Sequence, residues 1–408
     1  MTAKSAAETD LLTGVQPDAG AIVNAWVDWY WASFLPAWIV RARDAETVGF
    51  CDHLDNLGQP AQTDRRTVLA QARLLFSFSH LALFSENPAF DEAARIARNA
   101  LKVFRKKPGA YCRARTARGQ PTGTPQDDLA ASYDQSFVIL GLSTWSRLHP
   151  EEDVNAELEH CWSYIETHLR DPATGLLLEH DGLSDPAADD APRRAQNPHM
   201  HLYEAALQAF EMTGQEIWMV RAQEMRRKGL DYFFDRKSGT LMEFIAPDLA
   251  RLPGREGQRR EIGHQCEWAW LLLREVELGG DPMIKNVAES LLMFADRYGF
   301  QDDGIMTFAA FDSVSADATW KEATFLLWPQ TEAIKAYALR AEAPTYFERT
   351  QTLGLLMFQR FFAGRAGFVN QLDQDGAPLW DEALSRLHYH IVLALTEGAR
   401  AGVWNYPK

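Results

Sequence analysis

The stretch that decides the fold runs EIWMVRAQEMRRKGLDYFF (216–234), then Gly239-Thr240-Leu241, then HQCEWAWLLLREVE (264–277). Its first part has a charged face and reads as an outer helix, half in water. Its last part is apolar over most of its circumference and reads as a helix buried between neighbours. The glycine and apolar, strand-like snippet between them mark a sharp turn. This order of parts returns along the chain. Gly49-Phe50-Cys51, Gly109-Ala110-Tyr111, Gly175-Leu176-Leu177, Gly239-Thr240-Leu241, Gly304-Ile305-Met306 and Gly367-Phe368-Val369 follow one another at 60, 66, 64, 65 and 63 residues. Such regularity is the mark of one supersecondary unit used six times, and six units nearly fill the 408 residues.

Apolar periodicity with start and stop signals predicts twelve helices, at 17–43, 64–86, 88–105, 126–147, 152–169, 197–212, 216–234, 260–277, 281–297, 317–340, 343–361 and 382–402. Asn87-Pro88, Asn197-Pro198 and Asp281-Pro282 each set a capping side chain before a proline suited to the first helical position. Exposed and buried helices in alternation describe an all-α double ring, an (α/α)6 barrel, with short β-hairpins covering one end. An open solenoid is the alternative. Closure makes residues 17–408 a single catalytic domain behind an N-terminal tail at 1–16, with a central cavity whose mouth is the default place for a small ligand.

Composition narrows the partners. The net charge of −15 is spread along the chain and opposes nucleic acid and anionic membranes alike. The basic cluster Arg105, Lys106, Lys107, Arg113, Arg115 and Arg118 is short and reads as a solvated loop. Cys51, Cys112, Cys161 and Cys266 lack metal or disulfide spacing. The beginning, MTAKSAAETDLLTG, has no apolar signal core, and no apolar run is long enough to span a bilayer. The expectation is a cytoplasmic monomer or homodimer with no nucleic-acid or membrane partner.

Polar groups on buried helices cost a few kcal/mol each unless satisfied, so their positions carry information. The inner helices supply Arg73, Tyr133 with Asp134, Asn197 with His201, His264 with Glu267, Trp328 with Glu332, and His388 with His390. From Tyr133 the leading members follow at 68, 63, 64 and 62 residues, close to the glycine period, so they should converge on one ring. Each has a bland alternative: a lone histidine is more often structural, Arg73 can pair with a core carboxylate, Trp328 can be packing, Asp134 and Glu332 can orient neighbours, and Asn197 is first a helix cap. Three histidines at a repeat period on buried helices favour a joint role.

His199-Met200-His201 and His388-Tyr389-His390 resemble metal-binding pairs, but residues two apart on a helix point in nearly opposite directions. A zinc cluster of His201, His264, His390 and Glu267 is the alternative to the expected absence of metal and cofactor. Histidine suits proton transfer near neutral pH. Burial and a helix N-terminus favour the neutral form that a base requires, and His201 and His264 fall in expected first turns. With no nucleophile motif and no nucleotide loop, the ring fits acid–base chemistry on a neutral polar substrate stacked against Trp328 and Tyr133.

The segments QARLLFSFSHL (71–81), YDQSFVILGLS (133–143), NPHMHLYEAALQAF (197–210), GHQCEWAWLLL (263–273), LWPQTEAIKAYAL (327–339) and YHIVLAL (389–395) resemble, in order and spacing, stretches of the N-acylglucosamine 2-epimerase superfamily. The resemblance is nearest to its bacterial D-mannose isomerases and implies the same barrel. It further implies His264 and His390 as the catalytic acid/base pair, with His201 assisting ring opening. Arg73, Tyr133, Asn197, His201, Glu267 and Trp328 become substrate-binding residues, Glu267 steering a histidine tautomer. Family members often carry a lysine before the last histidine; here the segment reads Ala383-Leu384-Ser385-Arg386-Leu387-His388, so that role is unfilled or taken by Arg386. The implied activity is an aldose–ketose isomerase interconverting D-mannose and D-fructose, with D-lyxose and D-xylulose as a further candidate pair, through a cis-enediol. The alternatives are a mannose/glucose 2-epimerase, a glycoside hydrolase on the same fold, and a non-catalytic sugar-binding protein.

Overall fold

The fold is built from helix pairs in the predicted order. The computed structural model describes residues 19–407 apart from 56, 86 and 189, so the expected tail at 1–16 lies outside the described residues. The outer helices are α1 (Ala19–Trp29, continued through a π-helical turn, Tyr30–Phe34, into Leu35–Arg41), α3 (Pro88–Val103), α5 (Asn155–His168), α7 (Glu216–Phe233), α9 (Lys285–Tyr298) and α11 (Pro344–Leu356, ending in the π-helical turn Met357–Phe362). The inner helices are α2 (Val68–Phe84), α4 (Ser132–Leu148), α6 (Asn197–Thr213), α8 (Ile262–Glu277), α10 (Leu327–Ala338) and α12 (His388–Arg400). Burial separates the two classes: 12 of the 16 residues of α8 are buried against 6 of the 18 of α7.

Each inner helix packs on the next, and α12 returns to α2. The ring is closed, which removes the open solenoid. Between α6 and α8 the Tyr203 ring stacks on Trp268 at 5.8 Å, and the Trp268 indole N–H donates to Gln196 at 2.6 Å. Gly229 of α7 sits against that indole, where an added Cβ would lie 2.4 Å from a ring carbon. A fully buried large apolar side chain contributes roughly 1.5–3 kcal/mol, and Trp38, Trp145, Trp218 and Trp268 are all of this kind.

Two devices hold the end where the inner helices begin. Five of the six repeat glycines take a left-handed conformation (φ 60–77°) in the turn after an outer helix; near the sixth that role falls to Ala363 and Gly364. At Gly109 a side chain is excluded, since a Cβ would meet the His160 carbonyl at 2.0 Å. The second device is a side-chain clamp. Gln71 exchanges both amide hydrogen bonds with the backbone of Phe50, and Gln135, Gln265 and Gln330 do the same with Tyr111, Leu241 and Ala310, at 2.7–3.1 Å. His199 replaces the glutamine in the third repeat: its Nε2 accepts from the Leu177 N–H at 2.8 Å, and Nδ1 contacts the Ala195 carbonyl at 3.0 Å.

The predicted starts at 64, 126, 317 and 382 are too early. The residues before the inner helices are extended instead and pair with the neighbouring repeat: Arg66–Thr67 with Ala114–Arg115, Ala131 with His180, Phe325–Leu326 with Gln371–Leu372, and Ala383–Leu384 with His53–Leu54. Their apolar residues mimic a further helical turn, but the N–H groups of Thr67 and Leu326 go to Asp52 and Asp312, and those of Val68, Ser132 and Leu327 to backbone carbonyls of the next repeat. The last of these pairings joins the end of the chain to its beginning. No described helix is long and apolar enough to cross a membrane.

Candidate active site

Because all inner helices start at the same end, their first turns and the extended residues before them face one hollow. It has a volume of about 240 Å³, and Arg73, Tyr133, Asn197, His201, His264, Glu267, Trp328 and His390 all line it. This is below the roughly 300–1,000 Å³ of pockets for drug-sized ligands, a scale that suits a monosaccharide. A second hollow of about 300 Å³ adjoins it and shares Tyr133, Asn197, Glu261 and His264. The ring residues are not in strict phase. Against the clamp, Tyr133, His264 and Trp328 lie one or two residues earlier and His201 two later, so they occupy neighbouring levels of the hollow.

The protonation of His390 follows from its partners. Nη1 of Arg73 lies 3.3 Å from Nε2, and a guanidinium can only donate, so Nε2 carries a lone pair. The ring proton is therefore on Nδ1, which donates to Oε1 of Glu332 at 2.7 Å. Burial, with the cations Arg73 and Lys335 nearby, holds the His390 pKa well below its ordinary value. Arg73 also donates through Nη2 to the Tyr133 hydroxyl at 2.7 Å, and its guanidinium stacks over Phe137 at 4.0 Å.

His264 is in the opposite condition. Its Nδ1 donates to Glu243 at 2.6 Å, with Glu261 at 3.3 Å. Burial opposes its charge, but these carboxylates outweigh it and lift the pKa to about 10, so the ring is an imidazolium near neutral pH. Trp328 stands between the two histidines, its ring centre 4.8 Å from that of His264 and 6.0 Å from that of His390. His201 packs against Tyr133 and Phe137, and its Nδ1 contacts Glu204 at 2.9 Å.

Glu204, Glu243, Lys335, Asn370 and Trp380 were absent from the sequence reading, whereas Glu332 takes the orienting place offered for it, on Nδ1 of His390 at 2.7 Å. Glu267 lies 4.0 Å from His201, so the groups fixing the three tautomers are Glu204, Glu243 and Glu332. Behind them Lys335, wholly buried, contacts Glu332 at 2.6 Å and lies over the Trp270 ring at 4.3 Å. Arg386, at the family's lysine segment, lines the hollow with Asn370 and Trp380. Asn197 is not a cap: it is the first residue within α6, and its Oδ1 is buried without a hydrogen bond in the protein, as is Oε1 of Glu267, which lies 3.9 Å from the Lys335 ammonium. Asp134 turns toward Arg113 at 3.7 Å, and His388 toward the Tyr30 hydroxyl at 3.0 Å, so neither joins the ring.

The three histidines fall, among the described residues, into three carboxylate groups, two of which share Glu267: His201 with Glu204 and Glu267, His264 with Glu243 and Glu261, and His390 with Glu267 and Glu332. The shortest imidazole–carboxylate contact in each is with a different glutamate, Glu204, Glu243 and Glu332. No one of these groups gathers His201, His264, His390 and Glu267 together, as the zinc alternative required.

Comparison with known proteins agrees with this architecture. Residues 49–394 match the family model of N-acylglucosamine 2-epimerase (GlcNAc 2-epimerase). A mannose-6-phosphate isomerase of Rhizobium meliloti (strain 1021) is 29% identical over 387 residues, covering 90% of this chain and 94% of the relative. A crystal structure of a D-mannose isomerase superposes with a TM-score of 0.79 at 19% identity, over 95% of this chain and 100% of the other. The cellobiose 2-epimerase of Bacillus thermoamylovorans B4167 gives 0.78 at 18%, over 92% and 99%. With a closed ring of six helix pairs, and a family match across most of its length, the chain belongs to the N-acylglucosamine 2-epimerase family.

Proposed function

We propose that this sugar isomerase or epimerase is an aldose–ketose isomerase converting D-mannose to D-fructose, with His390 as base and His264 as acid. The observation that carries the reading is the pair of opposed imidazole environments in one hollow, Nε2 of His390 facing the Arg73 guanidinium and His264 flanked by Glu243 and Glu261, since environments that push two pKa values apart assign acid and base. The names of the relatives, for mannose and mannose 6-phosphate isomerases, support mannose as the carbon skeleton.

His201, oriented by Glu204, assists opening of the pyranose by accepting the C1 hydroxyl proton and passing it to the ring oxygen as the C1–O5 bond breaks and C1 becomes the aldehyde. Nε2 of His390 then removes the C2 proton. The C–H electron pair becomes the C1=C2 bond, the carbonyl pair moves to O1, and His264 protonates O1 to give the cis-enediol. Arg73, beside His390, stabilises the developing oxyanion, a contribution of a few kcal/mol. His390 returns its proton to C1 on the same face while the O2 proton goes back to His264, and the aldose has become a ketose. Tyr133, Asn197, Glu267 and Trp328 bind the sugar, Oδ1 of Asn197 and Oε1 of Glu267, which lack hydrogen bonds in the protein, accepting from its hydroxyls.

A second reading, a 2-epimerase, is favoured by His264 being a separate proton donor: delivery to C2 from the opposite face would yield glucose. Chromatography of mannose incubated with the protein separates them. Fructose is expected, and His390→Ala or His264→Ala should lower kcat by about 10²–10⁴-fold with the melting temperature within a few degrees. Glucose alone would move the assignment to the epimerase, and near-normal turnover by either variant would remove that histidine from the chemistry.

A further inference from the structure

We propose that the donor behind each histidine's carboxylate, Gln196 behind Glu243 and Lys335 behind Glu332, decides which imidazole is charged and so which acts as acid and which as base. This rests on the acid and base roles given above to His264 and His390.

The carboxylates themselves do not distinguish the histidines. Each ring has a glutamate on Nδ1 at a similar distance: Glu204 at 2.9 Å from His201, Glu243 at 2.6 Å from His264 and Glu332 at 2.7 Å from His390. All six residues are buried. The difference lies one contact further out. Oε2 of Glu243, the oxygen that faces His264, accepts the Gln196 amide N–H at 3.2 Å, and Oε1 accepts the backbone N–H of Glu261 at 2.9 Å. Both donors are neutral, so Glu243 keeps its full charge for His264. Gln196 is itself fixed, being wholly buried with its Oε1 accepting from the Trp268 indole at 2.6 Å.

Behind Glu332 stands the ammonium of Lys335, 2.6 Å from the oxygen that does not face His390. Burial opposes the Lys335 charge, but Glu332, Glu267 and Glu204 outweigh it and hold the lysine protonated. Glu332 is therefore half of an ion pair, and it offers His390 an acceptor whose charge is already balanced. The other sides of each ring act in the same direction. His390 meets Arg73 of α2 at 3.3 Å and also feels His201 of α6 and His264 of α8. His264 meets Glu261 at 3.3 Å and also feels Glu267 of its own helix. Arg260, a cation that feels Glu243, is bonded to Thr240 at 2.8 Å and Asp235 at 3.5 Å and so balances a different carboxylate. Gln196 and Lys335 are thus positioning residues that touch no substrate and act through Glu243 and Glu332.

The test reads the rings directly. Isotope-labelled histidine is incorporated into the wild type, Q196M, Q196K and K335Q, the ring signals are assigned with H264A and H390A, and each ring is titrated by long-range nitrogen–proton NMR spectra. Melting temperatures confirm that the variants fold. In Q196K the His264 ring, which titrates at about 10 in the wild type, should titrate lower by about one pH unit or more, whereas in Q196M, which removes the amide without adding charge, it should stay within about half a unit. In K335Q the His390 ring should titrate about one unit or more higher, and the limbs of the kcat/KM profile should follow the rings. Should Q196K not fold, the K335Q titration decides. Rings that titrate in Q196K and K335Q as they do in the wild type overturn the proposal, as does a His264 shift in Q196M as large as that in Q196K. If the rings shift as expected but no sugar is turned over, the charge assignment holds and the isomerase reading fails.

Discussion

His390 can act as a base only while Nε2 lacks a proton, and His264 as an acid only while its ring is charged. The pH profile of kcat/KM should therefore be flat near neutrality. Its acid limb belongs to His390, whose pKa is held well below 6.5, and its alkaline limb to His264, near 10. Glu243→Gln removes the anion that most raises the His264 pKa, so the alkaline limb should move to lower pH. An unmoved limb would show that His264 does not set it. Lys335 acts through Glu332 and through its own charge, which lowers the His390 pKa. Lys335→Met should move the acid limb to higher pH and reduce kcat more than it changes KM, whereas Lys335→Arg should keep the wild-type profile. A merely structural lysine would alter the melting temperature and leave the limbs in place. The histidines were legible because imidazoles are rare on apolar helices. Their partners were not: Glu204 is hidden among the helical residues of α6, Glu243 lies in a loop, and Lys335 reads as any surface lysine until the helix around it is seen to be buried.

The helices were readable from periodicity because each buries a defined face, and the errors concentrate at the starts of inner helices, where extended pairing to the next repeat competes with a further turn. The clamp was legible in principle. Gln71, Gln135, His199, Gln265 and Gln330 recur at 64, 64, 66 and 65 residues, a steadier register than that of the residues around the hollow. Histidine in the third clamp has a consequence for stability. Burial lowers the His199 pKa to about 4, so from pH ~6.5 downward the unfolded chain binds a proton that the folded one refuses. The stability tied to this group is complete above pH ~6.5 and is lost as the pH falls to about 4, at ~1.4 kcal/mol per pH unit. His199→Gln, the residue of the other four clamps, should keep the melting temperature at pH 7 within a few degrees and lessen its fall on acidification. Thermal unfolding at pH 7 and pH 5 decides this; an identical acid slope in the variant contradicts it.

Closure of the ring turns twelve helices into an enclosed site. Residues from α2, α4, α6, α8, α10 and α12, up to 317 positions apart, meet only because the last repeat pairs with the first. The sixfold period implied this closure, since a double ring buries every inner helix on both sides. The polarity of the hollow was beyond the sequence, because it depends on which carboxylates and cations end up facing each other across it. The account at this scale is that separate repeats deliver one neutral and one charged imidazole to the same two carbons. Conversion of mannose deuterated at C2, in ordinary water, tests it most directly. The account predicts fructose in which part of the label remains at C1 and part has passed to water through His390. Complete retention at C1, as in a hydride shift, or no conversion at all would contradict it.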